Sequence, residues 1–269
     1  MREKTRRIAM TIAGSDSGGG AGIQADLKSF AAWGCYGTSV IVSVTAQDTL
    51  GVHAVHPVPI DIIVAQLDAV GSDLPPDACK TGMLGTLGVV ELVAEVIDAR
   101  GWTRYVLDPV MVASSGDRLL DADAIDAVRS LLVPQALVVT PNLDEAELLT
   151  GLHVRDPESM VRAGEVLLSL GASAALIKGG HLKSDILVDV LVTPDGVERY
   201  ARPRLTTRAT HGTGCTLSAA LTAALALGLS VAEAVPASLD YLQAAIRAAP
   251  GLGKGQGPVW HGVEMRDER

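Results

Sequence analysis

Short apolar runs alternate along the chain with longer stretches of helical period. The runs at 8–13, 39–46, 78–81, 105–108, 137–140 and 174–178 are rich in β-branched residues and read as strands. Helices are predicted over 22–33, 60–70, 88–99, 122–131, 144–149, 157–170, 214–227 and 231–248. Runs such as IVSV and ALVV lack polar alternation, as expected of strands buried on both faces. Strand–helix alternation of this kind predicts an α/β chain with a mostly parallel sheet and helices on both sides. One interruption is expected. The runs 187–192 and 197–200 flank Thr193-Pro194-Asp195-Gly196, a strong turn signal, and predict an antiparallel hairpin. No repeat, linker or low-complexity segment divides the chain, so one domain spanning 1–269 is expected.

In open α/β sheets ligands bind beyond the carboxyl ends of the strands. The polar residues there are Ser15 to Gly22, Gln47 and Asp48, Gly82 and Met83, Asp108, Asn142 and Glu145, and Lys178 to His181. A parallel sheet brings them to one rim.

Composition narrows the function. The 269 residues carry a net charge of −9, which argues against nucleic acid and anionic membranes. Three widely spaced cysteines exclude a disulfide scaffold and a CxxC metal knuckle, and suit a reducing compartment. The apolar run after the basic first residues is shorter than a signal sequence requires, and 217–229 is shorter than a membrane span. A cytoplasmic protein is expected.

Two glycine-rich segments compete as phosphate sites. Gly20-x-Gly22-x-x-Ala25, with Asp48 downstream, fits the loose dinucleotide fingerprint and admits a nicotinamide-dependent oxidoreductase. Against it, the first strand reads as ending near Gly14, six residues too early, so a plain glycine turn is the alternative. The second segment, His211-Gly212-Thr213-Gly214-Cys215-Thr216, directly precedes an apolar helix. Its glycines, with the helix's unpaired N–H groups and positive dipole end, suit an anion hole for a phosphoryl group in transfer. A capped helix start explains it equally well. The P-loop pattern GxxxxGK[ST] and the hydrolase pattern GxSxG are both absent.

HGTGCTLSAAL, taken in order with AGSDSGGGAGIQADLKSF, VTAQDTLGV, KTGML, LDPVM, TPNLDEAE and IKGGH, resembles the hydroxymethylpyrimidine and phosphomethylpyrimidine kinases of the ribokinase-like superfamily. The likeness runs from about residue 8 to 262. It implies a three-layer α/β/α fold and ATP-dependent phosphorylation of 4-amino-5-hydroxymethyl-2-methylpyrimidine and then of its monophosphate. It further implies Mg²⁺, with ATP as co-substrate, and a homodimer.

By motif, the resemblance makes Asp26 and Gln47 polar contacts to the aminopyrimidine and Met83 and Val110 its apolar walls. A carboxylate and an amide match that ring edge chemically. The plain alternatives are a solvated helix residue for Asp26 and a strand-end polar group for Gln47. Asn142 and Glu145 match NxxE, which helps hold Mg²⁺; they also spell a capping box, and both can hold. Asp108 supplies a second carboxylate. Lys178 offers its ammonium to ATP phosphates, or makes an ordinary surface salt bridge. Gly212, Thr213, Gly214 and Cys215 form the catalytic segment. Cys215 stands where most sugar kinases of the superfamily carry Asp. A thiol at a helix N-terminus has a lowered pKa, so a thiolate base is expected to be accessible, with the anion-hole role ranked above it. Ser114 replaces the Lys of many relatives, which Arg118 or Lys183 would have to make good. Residues 179–185 are a candidate flap, and the tail 251–269 is expected to be loosely ordered at its end. A related enzyme acting on vitamin B6 is the rival within the class.

Overall fold

The computed structural model describes residues 6–111, 120, 122–180 and 185–263. Nine strands form one sheet: β1 (Ile8–Asp16), β2 (Tyr36–Gln47), β3 (Val52–Pro57), β4 (Ala78–Thr81), β5 (Tyr105–Leu107), β6 (Val138–Val139), β7 (Ala175–Ile177), β8 (Ile186–Thr193) and β9 (Gly196–Pro203). Their order is β3-β2-β1-β4-β5-β6-β7-β8-β9. The six strands from β2 to β7 pair in parallel; β3, β8 and β9 join antiparallel at the edges.

The helices are α1 (Gly22–Ala32), α2 (Ile60–Asp73), α3 (Leu87–Arg100), α4 (Ala122–Ala127), α5 (Leu143–Thr150), α6 (Pro157–Ser169), α7 (Thr213–Ala226) and α8 (Val231–Arg247). The central strands β1, β4, β5, β6 and β7 are buried on both faces, and alternate residues feed two separate cores. Strand β2 alternates, with Val44 of the IVSV run exposed, because beyond it lies only the exposed edge strand β3. Met10, Ile12, Tyr105, Leu107 and Ile177 pack with α2 to α6. Ala9, Val106, Val138 and Leu176 pack with Phe30 of α1 and with α7 and α8. The expected three layers follow from that period of two. Helix α7 is buried from Thr216 to Ala226, as a helix lying between the sheet and α8 must be.

Several boundaries differ from the sequence reading. The hairpin β8–β9 is present as expected, but β3 was not expected: its HAVHP stretch is exposed and shows no apolar alternation. The helix predicted over 122–131 ends at Ala127 and continues as a π turn (Val128–Leu132) and a 3₁₀ turn (Val133–Gln135). Pro134 within it lacks the N–H that would continue an α-helix. Strand β1 runs on to Asp16 rather than stopping near Gly14, through an irregularity in its pairing with β2.

The tail is firmly held as far as it is described. Lys254 and Gly255 donate their N–H groups to Thr49 Oγ1 (3.1 and 3.2 Å), and the His211 N–H donates to the Gly257 carbonyl (3.1 Å). His261 lies buried, its carbonyl accepting from Tyr241 Oη (2.8 Å) and its Nε2 3.0 Å from Thr216 Oγ1. Burial pushes its imidazole down to about 4, with Lys28 and His211 adding to the effect. Its folded value lies below the ordinary 6.5, so the unfolded chain binds the extra proton first as pH falls. The contribution is intact above pH 6.5 and drains away towards pH 4, amounting to about 3 kcal/mol there. Urea unfolding of His261→Gln at about pH 7 and about pH 4.5 checks this. The variant is expected to lose less stability on acidification than the parent chain; equal losses would contradict it.

Candidate active site

The carboxyl ends of β1, β2, β4, β5, β6 and β7 open onto one cavity of about 480 Å³. All twelve residues expected to carry function line it: Asp26, Gln47, Met83, Asp108, Val110, Asn142, Glu145, Lys178 and the segment Gly212 to Cys215. The topology explains the convergence, because parallel strands end on the same side.

The segment before α7 is shaped by glycine. Gly212 has φ +77° and caps the helix, and a Cβ there would run into the Gly20 carbonyl. No side chain caps α7. The Gly214 and Cys215 N–H groups have no protein acceptor among the described residues, and the first hydrogen bond of the helix is Thr216 N–H to Gly212 carbonyl (2.8 Å). Two free amides thus open onto the cavity at the positive end of a buried helix.

The other glycine segment is already filled. Asp16 folds back under it and accepts from Gly18 N–H (2.7 Å), Gly20 N–H (3.1 Å) and Ala21 N–H (2.8 Å). His211 Nε2 lies 2.8 Å from the same carboxylate. Burial works against ionisation of Asp16, but His211 and these amides hold its carboxyl below the usual range. The amides a pyrophosphate would need serve an internal carboxylate. Asp48, the acid of the supposed fingerprint, caps the β2–β3 turn through Leu50 N–H (2.7 Å) and pairs with His53 (3.0 Å). The dinucleotide reading is corrected on this geometry, and the plain glycine turn stands.

Beside the free amides lies a charged cluster: a Cβ at Gly214 would be 3.4 Å from Lys178 Nζ and 3.9 Å from Asp108 Oδ2. Lys178 Nζ is 3.0 Å from Asp108 Oδ1 and 3.8 Å from Glu145 Oε2. Only 14% of the Lys178 side chain is exposed, so this is no surface salt bridge. Burial disfavours its ammonium, yet Asp108 and Glu145 outweigh that and raise its pKa. Asp108 also accepts from Ser218 Oγ (2.9 Å) and Thr140 Oγ1 (3.2 Å). Burial opposes its ionisation, but Lys178 and Lys80 hold it below the ordinary value. Glu145 is pushed up to about 7 by burial, and Asp108 adds to the push against Lys178. Asn142 and Glu145 do form the capping box: Glu145 N–H donates to Asn142 Oδ1 (2.9 Å) and Asn142 N–H to Glu145 Oε2 (2.8 Å). The box turns the Glu145 carboxylate back to the head of α5, beside Lys178.

At the other end, Asp26 is not a solvated helix residue. It is fully buried, with Lys80 Nζ 2.8 Å from Oδ1 and Thr11 Oγ1 donating to Oδ2 (2.6 Å). Gln47 accepts from Thr45 Oγ1 at its Oε1 (3.1 Å), leaving its amide nitrogen without a protein partner among the described residues. Met83 and Val110 are half-buried in the wall.

One expectation fails on the physics. The Cys215 thiol is pushed up to about 12 by burial, with Asp26 and Asp108 adding, against Lys80 and the Gly22 N–H. The helix end does not make a thiolate here, because burial disfavours the charged sulfur and the negative charge of Asp26 and Asp108 adds to it. Ser114, Arg118, Lys183 and the centre of the candidate flap lie outside the described residues. Lys80, Ser218 and the Asp16–His211 pair escaped the sequence reading. For Lys80 a signal existed: a lysine inside the buried strand ACKT requires a carboxylate partner.

Among the described residues no group of three or more His, Cys, Asp or Glu side chains is assembled for a metal, and no helix is long and apolar enough to cross a membrane. The family model described as phosphomethylpyrimidine kinase matches residues 16–260. The chain is 52% identical over 257 residues to a hydroxymethylpyrimidine/phosphomethylpyrimidine kinase of Rhizobium meliloti (strain 1021), covering 94% of this chain and 96% of that one. Among solved structures it is similar to the ADP complex of Bacillus subtilis pyridoxal kinase, with TM-score 0.90 and 40% identity over 96% of this chain and 98% of that chain. It is also similar to phosphomethylpyrimidine kinase from Clostridium difficile 630, with TM-score 0.81 and 43% identity over 90% of this chain and 100% of that chain.

Proposed function

The chain belongs to the phosphomethylpyrimidine kinase family, and we propose that it phosphorylates 4-amino-5-hydroxymethyl-2-methylpyrimidine and then its monophosphate with ATP, making the diphosphate for thiamine biosynthesis. The observation that carries this reading is the pair of free amides at Gly214 and Cys215 set against the Lys178–Asp108–Glu145 cluster in one cavity.

Each residue has a task in that reaction. Asp26 and Gln47 take the polar edge of the aminopyrimidine, and Met83 and Val110 hold its faces. The acceptor oxygen, the hydroxymethyl group first and the monophosphate second, attacks the γ-phosphorus of ATP. The new O–P bond forms as the bridging bond to the β-phosphate breaks, and ADP leaves. Charge on the migrating group is received by the Gly214 and Cys215 amides and the dipole of α7. Lys178 offsets charge on the ATP phosphates.

The donor set fits Mg²⁺: Asp108 and Glu145 are hard oxygen donors in one cavity, on either side of Lys178, and this ion prefers one or two carboxylates completed by waters and phosphate oxygens. Asn142 fixes Glu145 for that purpose. When bound, the ion would neutralise phosphate charge.

Phosphoryl transfer through a loose transition state depends on positioning and charge more than on a base. A neutral thiol at Cys215 is compatible with that, since the hydroxyl proton departs late and can pass to an oxygen of the transferred phosphoryl group. Cys215→Ala is therefore expected to slow both phosphorylations alike, by about tenfold or less. Separate turnover assays with the alcohol and the monophosphate check this. A loss confined to the alcohol would reinstate a thiolate base.

The function itself is tested by release of ADP from Mg-ATP on adding the hydroxymethylpyrimidine or its monophosphate; no release with either ends the proposal. Pyridoxal belongs in the same assay. The likeness to the pyridoxal kinase structure, at TM-score 0.90, favours vitamin B6 as a second acceptor.

A further inference from the structure

Lys80 is a fully buried charged group in the cavity to which the reaction above gives no part. It stands in β4, fully buried, and its ammonium donates to Asp26 Oδ1 (2.8 Å) and to Ser218 Oγ (2.9 Å). Ser218 Oγ in turn donates to Asp108 Oδ2 (2.9 Å), which meets Lys178 through its other oxygen. Opposite charges thus alternate across the cavity floor, from the residue assigned to the ring to the residues assigned to the phosphates.

A carboxylate shut away from water takes up a proton unless a cation stands beside it. Asp26 is in that position: burial raises its carboxyl above the ordinary value, with Asp108 adding, while Lys80 and Thr11 pull the other way. Thr11 from β1 gives it one neutral hydrogen bond, Cys215 from α7 presents an uncharged thiol, and Asp108 after β5 adds negative charge nearby. Lys80 from β4 is the cation in contact with it. With Oδ1 on Lys80 and Oδ2 on Thr11, the carboxylate also has one orientation. Burial disfavours the Lys80 ammonium, but Asp26 and Asp108 outweigh this and keep it charged.

We propose that Lys80 is a positioning residue for substrate recognition, holding the Asp26 carboxylate ionised and fixed in the orientation that accepts the ring's amino group. This rests on the proposed function, which supplies the ring. Lys80 acts through Asp26 and not on the phosphates.

The test is a double-mutant cycle on Lys80→Met and Asp26→Asn, read as KM for the hydroxymethylpyrimidine and, separately, KM for Mg-ATP. Lys80→Met is expected to raise the pyrimidine KM by about thirtyfold near pH 7, with the Mg-ATP KM changed by less than about threefold. The pyrimidine KM of this variant should fall again as pH rises and Asp26 regains its charge; in the parent chain, where Lys80 opposes protonation, any such slope should lie at lower pH. In an Asp26→Asn background, adding Lys80→Met should alter the pyrimidine KM by less than about threefold, because the residue it acts through is gone. That comparison also serves if Lys80→Met alone fails to fold, since removing both buried charges leaves neither unpaired. Additive losses in the cycle, or equal rises in both KM values, would overturn the proposal. Failure of the parent chain to turn over the pyrimidine would instead strike the proposed function.

Discussion

Gly214→Asp is expected to lower kcat by about a thousandfold while the chain stays folded. Gly214 is the second residue of α7, and unlike Gly212 it does not have a positive φ. A Cβ added there would meet Lys178 Nζ at 3.4 Å and Asp108 Oδ2 at 3.9 Å, ordinary contact distances. Space is therefore available, and a carboxylate in the first turn of a helix favours the helix by a few tenths of a kcal/mol to about 1 kcal/mol. The damage is chemical. The new carboxylate lies against the free amides of its own turn and within reach of Lys178, so it takes both the cradle and the counter-charge meant for the phosphoryl group. Loss of one such donor costs about a hundredfold to a thousandfold in other enzymes, and here a negative charge is added as well. Thermal unfolding and kcat measured together decide the matter. A stable variant with kcat within about tenfold of the parent would show that phosphorus does not pass this helix end. Gly214→Ala is the control: it adds only the Cβ and should cost far less.

Lys178→Met is the second large effect, and it should appear in stability and activity together. The side chain is 14% exposed and separates two carboxylates that burial and mutual repulsion already penalise. Removing one partner of such a buried pair costs about 3–5 kcal/mol, because the remaining charge stays buried without compensation. Turnover should fall by about a hundredfold or more, as ATP phosphates lose their protein cation. Glu145 sits near 7 even with Lys178 in place, so without it the carboxyl is expected to be protonated at neutral pH. Adding Glu145→Gln to Lys178→Met should then recover part of the lost stability without recovering turnover. Chemical denaturation of the single and double variants checks the first part, and kcat the second. If the double variant is no more stable than the single one, the electrostatic account of the cluster is wrong.

Much of this architecture is local and was legible in the chain. An apolar run buried on both faces is written into the segments of β1, β4, β5, β6 and β7, and a period of two then divides its residues between two helical layers. The IVSV run of β2 reads the same way but leaves Val44 exposed, because burial there depends on what the edge strand β3 covers. All twelve expected residues lie on one cavity: seven stand at or just past the ends of parallel strands, Asp26 is carried by α1, and Gly212 to Cys215 are brought in at the head of α7 after the antiparallel edge strand β9. The turn at 193–196 fixed the β8–β9 hairpin by its own chemistry. Strand β3 was invisible because pairing with β2 at an exposed edge requires no apolar alternation.

Charge state is what tertiary structure alone decided. A cysteine at a helix N-terminus reads as acidic from sequence, yet burial beside Asp26 and Asp108 makes it a neutral thiol. The glycine-rich loop reads as an anion site, yet Asp16 and His211, 195 residues apart, close it from within. Lys80 meets Asp26 and Ser218 across 54 and 138 residues of chain. Backbone periodicity depends on neighbours in sequence, whereas desolvation and ion pairing depend on which distant groups folding brings within a few ångströms and how much water it leaves between them.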